Sequence, residues 1–122
     1  MLNKLAILNI ALLIGHQADA AYWHEWEMFA MPGGIQVFNI FNVVAFTILL
    51  GCLSLLVQRK PGGFAGSLVI IFGSGIVLPI HTGFALFGFE QFNLPVSIAL
   101  IVGCFIVSLA QLVCTLRMPD AF

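Results

Sequence analysis

Hydrophobic residues fill four long stretches of this chain, and the short segments around them contain all but one of its charged residues. The stretches cover residues 5–23, 35–57, 64–89 and 94–116. A helix of about 20 apolar residues crosses the hydrocarbon core of a bilayer. Proline and glycine in the connections predict turns, and short turns make successive helices antiparallel. The pattern predicts an all-α, integral membrane four-helix bundle that forms a single domain over residues 1–122.

Composition supports lipid as the solvent of this bundle. Hydrophobic residues make up 61% of the chain and charged residues 7%, whereas soluble domains contain about 25% charged residues. The predicted partner is therefore the lipid bilayer, and a net charge of −1 gives no reason to expect nucleic acid. The three cysteines are scattered through apolar runs, which is typical of buried, unreactive side chains.

The basic residues predict the direction of the four crossings. Lys4, Arg59, Lys60 and Arg117 all fall on the same side of the bundle, and the other side has no lysine or arginine. By the positive-inside rule both termini are cytoplasmic, as in a multi-pass protein of a bacterial inner membrane. Lys4, the apolar run and Ala18–Ala20 also fit a signal peptide with its cleavage site. Because the chain includes this segment, a retained helix is the preferred interpretation.

Polar residues gather near the outer end of the first predicted helix, within the stretch Gly15–Phe29. At about 100° per residue, His16, Asp19 and Trp23 share one face, and Glu27 joins them if the helix continues. Glu25 then points away from that face. Ionisable residues inside a membrane usually face the bundle interior or a watery cavity.

Two other predicted helices bring polar residues to the same depth. His16 and His81 both lie about 10–12 Å below the outer boundary, at 1.5 Å per residue. Asn39 and Asn42 share a face of the second helix. The cytoplasmic halves hold few polar residues, so we expect an outward-opening pocket. Its predicted members are His16, Asp19, Asn39, Asn42 and His81, with Trp23, His24 and Glu27 around them.

A metal site is the sharpest chemical hypothesis for this pocket. Two histidines and a carboxylate suit a divalent transition metal, so His16, Asp19 and His81 are the candidate ligands. His24 or Glu27 would be an additional ligand or would support the others. A haem between His16 and His81 is also conceivable, although its propionates would lack basic partners. The alternative is structural: asparagine and histidine often hydrogen-bond across membrane helices, at about 0.6 kcal/mol each.

The runs His16–Ala21, His24–Trp26 and Pro32–Gly34 resemble a group of small bacterial four-helix membrane proteins. That group, similar in style to HXXEE-type proteins, has His-x-x-(Asp/Glu) in its first helix, then Glu-Trp and a histidine in the third helix. His81 matches the last element, while "HQADA" stands where that type has two adjacent acids. The resemblance implies the architecture but no settled biochemical activity.

Two functions remain open from the sequence. The first is a small accessory or binding subunit of a larger membrane complex, which would meet other subunits or copies of itself through its third and fourth helices. Small residues on the fourth helix and glycines on the third would allow close packing there. The second is a metal-dependent or lipid-modifying enzyme that uses His16, Asp19 and His81.

Overall fold

The structure is a computed structural model that describes residues 1–118, 120 and 122. Those residues form helices and no strands, which confirms the all-α prediction. The helices are α1 (Leu2–Tyr22), α2 (Glu25–Met28), α3 (Gly34–Val57), α4 (Gly63–Gly75), α5 (Val77–Leu86) and α6 (Pro95–Arg117). Four segments are long and apolar enough to cross a membrane: α1, α3, α4 together with α5, and α6.

The four membrane segments pack as an antiparallel bundle. α1 packs on α6, α6 on α4, and α4 on α3, while α1 also contacts α3 and α4. Gly15 faces Leu100 and Gly103 faces Leu12, so α1 and α6 run in opposite directions. At Gly66 the helices α3 and α4 are so close that an added Cβ would lie 2.9 Å from the carbonyl oxygen of Cys52. Small residues therefore set the closest helix contacts, as they do in many membrane bundles.

The third membrane segment differs from the single helix predicted over residues 64–89. It is interrupted at Ile76, between α4 and α5, and it ends at Leu86. Pro79 has no N–H to donate to the carbonyl of Gly75, which weakens the helix at this point. Beyond Leu86 the chain turns through Gly88, whose φ of 91° suits glycine best. The interruption separates the well-packed α4 from α5, which contacts α3 little.

A buried hydrogen-bonded network occupies the half of the bundle near the chain termini. Asn9 Nδ2 donates to Ser108 Oγ at 3.1 Å and to Gln111 Oε1 at 2.9 Å. Gln111 Nε2 donates to Ser67 Oγ at 3.0 Å, and the Ser67 and Thr115 hydroxyls are 2.8 Å apart. The expectation that polar residues concentrate in the outer half was therefore incomplete. These side chains come from three helices and join α1, α4 and α6.

Two connections fold over the opposite end of the bundle. The α1–α3 connection contains α2, whose Trp26 and Met28 are buried. The α5–α6 connection inserts Phe92, which is 5% exposed. Trp26 packs on Phe38 of α3, with 5.4 Å between ring centroids. These two connections therefore cover this end of the bundle, where the sequence predicted a pocket that opens outward.

Candidate functional site

Three ionisable side chains from three different segments converge beneath this closed end. They are His16 of α1, Glu25 of α2 and His81 of α5, and one potential ligand atom of each lies within 4.8 Å of the others. His16 Nε2 is 3.8 Å from Glu25 Oε2, and His81 Nε2 is 3.6 Å from Glu25 Oε1. Their exposed fractions are only 2%, 7% and 8%, in chain order. We call this trio the His–Glu–His cluster.

The two histidines meet because the helices that carry them end at the same side of the bundle. His16 is six residues before the end of α1, and His81 is five before the end of α5. At 1.5 Å per residue, both lie about 8–9 Å below that end. Their rings form an edge-to-face pair with centroids 4.9 Å apart. The sequence prediction of two histidines at one depth therefore agrees with the geometry.

Glu25 reaches the cluster because the helical phase changes after α1. Trp23 ends that helix, and His24 adopts a left-handed conformation with φ of 55°. The chain reverses there, which turns Glu25 inward and leaves Glu27 exposed. Extending α1 at 100° per residue through this region had pointed Glu25 away. No sequence motif marks the reversal, although histidine is among the residues enriched in left-handed conformations.

The remaining residues predicted for the pocket lie outside the cluster. Asp19 is half-buried on α1, and among the described residues no ion pair joins it to a histidine. His24 and Glu27 are exposed and lie 3.7 Å apart, and the indole of Trp23 donates weakly to Ser97 Oγ at 3.4 Å. On α3, Asn39 is exposed, and Asn42 Nδ2 donates to the carbonyl of Phe38 at 3.0 Å. Glu25 is the member that sequence reasoning missed.

The polar atoms of the cluster are close together but not hydrogen-bonded to each other. Separations of 3.6 and 3.8 Å exceed those of hydrogen bonds. His16 Nδ1, Glu25 Oε2 and His81 Nε2 are buried without a hydrogen-bond partner in the described part of the chain. Buried polar atoms are usually satisfied, as they are in the Asn9–Gln111 network of the same molecule. Among the described residues, atoms outside the cluster are also buried without a partner, in Gln17, Asp19, Asn42 and Ser74, so what distinguishes the cluster is that its three ionisable side chains converge.

An apolar cavity of about 500 Å³ adjoins the cluster. It runs between α1, α3, α4 and α5, and its wall includes Phe38 and Leu49 of α3, Val69 and Gly73 of α4, and Val77 of α5. His16, Glu25 and His81 also line it, together with Gln17. The cavity is therefore polar at one end and apolar along the rest of its length.

Aromatic side chains cover the cluster on the side of the bundle end. The Phe92 ring lies 4.3 Å from the His81 ring and 5.6 Å from the His16 ring, between centroids. Phe84 approaches His81 from another direction at 5.7 Å. These rings cover part of the imidazole surface, and a second cavity of about 580 Å³, lined by Phe84, Phe92 and Glu90, also reaches His81 from this side.

The donor set fits a divalent transition metal. Tetrahedral zinc takes imidazole nitrogen at about 2.0–2.1 Å and carboxylate oxygen at about 2.0–2.2 Å, which places ligand atoms about 3.3 Å apart. The 3.6 and 3.8 Å separations lie close to this value, whereas the 4.8 Å within which all three ligand atoms fall would have to shorten by about 1.5 Å. Two histidines and one glutamate also occur in catalytic zinc sites, where a fourth position stays open.

Comparison with known families places this chain. A family model described as a family of unknown function (DUF6713) matches residues 2–118. The chain belongs to that family. The match includes every membrane segment and all three residues of the His–Glu–His cluster. No curated protein matches the chain, and no solved structure matches it.

Proposed function

We propose that this chain is a membrane metalloprotein, with a divalent transition metal held by His16, Glu25 and His81, and that it acts as a metal-dependent enzyme within the bilayer. The observation that carries the proposal is the convergence of three buried ionisable side chains from three segments, each of which has a buried nitrogen or oxygen without a hydrogen-bond partner in the described part of the chain. Ionisable residues inside a membrane are costly and usually serve a function. Glu25 replaces Asp19 as the carboxylate in this proposal.

Zinc or a similar ion accounts for the features of the cluster together. A cation would bind the Glu25 carboxylate and give each imidazole an acceptor for one nitrogen lone pair. The Glu25 carboxylate and the two imidazoles would hold the ion, and the cavity that they line would give a ligand access to it. A bound ion would supply Lewis-acid polarisation or an activated water. The burial of these three side chains would limit the access of bulk water.

The orientation of the molecule follows from its charges. Lys4, Arg59, Lys60 and Arg117 flank helix ends that the antiparallel bundle brings to one side. The positive-inside rule supports a cytoplasmic location for that side and for both termini. The cluster would then lie near the outer face of a bacterial inner membrane.

The accessory subunit, which was the first function drawn from the sequence, becomes our second proposal, with α3 as its contact surface. The small-residue strip of α6 is less suited to that role, because Ser97, Cys104, Ser108, Gln111 and Thr115 all face the interior of this chain. Few residues of α3 are buried, which leaves most of that helix available to lipid or to another subunit. Such a subunit would not require the cluster to bind an ion.

Metal analysis of the purified protein tests the main proposal. We expect about one zinc ion per chain after reconstitution, and a loss of affinity of at least about 100-fold in His16→Ala, Glu25→Gln and His81→Ala. His24→Asn is the matched control, because that imidazole is exposed and asparagine also tolerates the left-handed conformation of this position, and Asp19→Asn tests the carboxylate that the sequence suggested. Equal affinity in wild type and Glu25→Gln, or a selective loss in Asp19→Asn, would contradict the assignment.

A further inference from the structure

We propose that the cavity beside the cluster binds the chain of a fatty acid whose carboxylate reaches the metal. This inference rests on the proposed function, since the ion provides the ligand position for the carboxylate. The polar end, the apolar walls and the opening toward lipid all point to one amphiphile rather than to a water-soluble molecule.

The first observation is the distribution of polar atoms along the cavity. Glu25 Oε2 and His81 Nε2 are buried, unpartnered and located at one end. The wall beyond them is formed by phenylalanine and aliphatic side chains of α3, α4 and α5. A ligand that satisfies this cavity therefore has one small polar head and a long apolar tail.

The second observation is the length of the cavity. Its wall on α3 extends from Phe38 to Leu49, eleven residues apart, which is about 16 Å along a helix. One leaflet is about half of the 30 Å hydrocarbon core, or roughly 15 Å. The cavity is thus about as long as one acyl chain that spans a leaflet. Its volume of about 500 Å³ suits one such chain better than a two-chain lipid.

The third observation is the route of entry. Phe41, Ile48 and Val69 line the cavity and are also exposed on the outer surface of the bundle. That surface faces acyl chains in a membrane, so a tail can enter sideways from lipid. At the head end, Trp26 lines the cavity beside Glu25, and the Phe92 ring lies 4.3 Å from the His81 ring, between centroids. A carboxylate needs less space among these rings than a phosphate-bearing headgroup does.

Charge complementarity favours a carboxylate over an alcohol. A divalent cation with the Glu25 carboxylate and two neutral imidazoles keeps one positive charge, because one of its two charges is neutralised. A monoanionic head neutralises the remainder in a region where unbalanced charge is costly. A fatty acid is the membrane amphiphile that combines one chain with such a head.

Cobalt-loaded protein in phosphatidylcholine nanodiscs provides the test, because the visible spectrum of Co²⁺ reports a change in its ligands. We expect dodecanoic acid to change this spectrum saturably, while acetate, which lacks the tail, and dodecanol, which lacks the charged head, do not at equal concentration. By linkage, dodecanoic acid should also tighten Zn²⁺ binding by the same factor by which Zn²⁺ tightens binding of the acid.

Two variants test the position of the tail without altering the ligands. Gly73→Leu places a side chain in the cavity and should weaken the binding of dodecanoic acid at least about tenfold. Ala45→Leu, on the α3 wall of the same cavity, is a second variant if the first does not fold. Gly51→Leu is the matched control, because nothing lies within 4 Å of a Cβ at that exposed position. Retained Co²⁺ binding shows that each variant is folded.

The outcomes separate this inference from the proposed function. Bound Co²⁺ with an equal response to acetate, dodecanol and dodecanoic acid would overturn the fatty-acid inference alone. The same holds if Gly51→Leu weakens the acid as much as Gly73→Leu. A protein that binds no Co²⁺ would overturn the proposed function first and this inference with it.

Discussion

Replacing buried polar residues by leucine should have opposite consequences at the two ends of the bundle. Asn9→Leu removes a residue that makes three hydrogen bonds, two from its Nδ2 and one accepted by its Oδ1 from Ser108 at 3.3 Å. His81→Leu removes a side chain that makes none in the described part of the chain. Both positions are buried, at 0% and 8% exposure, so burial alone predicts similar costs.

The hydrogen bonds separate the two expectations. Three bonds at about 0.6 kcal/mol each give about 2 kcal/mol in a membrane, and orphaning Gln111 Oε1 adds about 1–3 kcal/mol. We therefore expect Asn9→Leu to lower the free energy of unfolding by about 3–5 kcal/mol. His81→Leu, without metal, breaks no hydrogen bond and removes an unsatisfied buried nitrogen. Its free energy of unfolding should stay within about 1 kcal/mol of wild type or rise.

Reversible unfolding in mixed micelles with increasing SDS, after metal removal, measures both differences. Asn39→Leu is the matched control for Asn9→Leu, because Asn39 is exposed on α3, and its change should be below about 0.5 kcal/mol. The reasoning is refuted if metal-free His81→Leu loses as much stability as Asn9→Leu. The cluster would then be structural glue.

Three further predictions concern packing, protons and orientation. Gly66→Ala should destabilise the bundle by about 1–3 kcal/mol, because its Cβ would lie 2.9 Å from the Cys52 carbonyl oxygen. The control Gly51→Ala should change the free energy of unfolding in SDS by less than about 0.5 kcal/mol. Equal effects of the two substitutions would contradict the close α3–α4 contact. The affinity for zinc, measured by competition with a chelator, should fall as pH is lowered, because protons compete for the imidazole nitrogens and the carboxylate. An affinity that does not depend on pH would argue against histidine ligands. In intact cells, a membrane-impermeant thiol reagent should label Glu90→Cys and not Lys60→Cys, and the reverse labelling would invert the proposed orientation.

Much of the fold follows from the hydrophobic pattern because lipid imposes length and continuity on each crossing. The second predicted helix, 35–57, begins one residue later than α3 and ends at the same residue. The fourth, 94–116, begins and ends one residue earlier than α6. The third segment was harder. Pro79 weakens the helix locally, but the interruption at Ile76 depends on packing that the hydrophobic pattern does not contain.

The candidate site was only partly predictable for a geometric reason. Depth in the bundle increases by a fixed rise per residue along a helix, so counting residues placed His16 and His81 at the same level. The direction of a side chain cannot be counted in this way once the chain reverses. One left-handed residue, His24, turned Glu25 into the bundle and Glu27 out of it. Asn39 is likewise exposed, on a helix that packs chiefly on α4 and buries few of its residues.

X-ray absorption at the zinc edge of the reconstituted protein tests the metal site most directly. The account predicts about two imidazole nitrogens at about 2.0–2.1 Å, with carboxylate oxygen at about 2.0–2.2 Å, and the loss of one imidazole contribution in His81→Ala. A first shell made only of oxygen, a sulfur contribution, or a spectrum unchanged by His81→Ala would contradict binding by His16, Glu25 and His81.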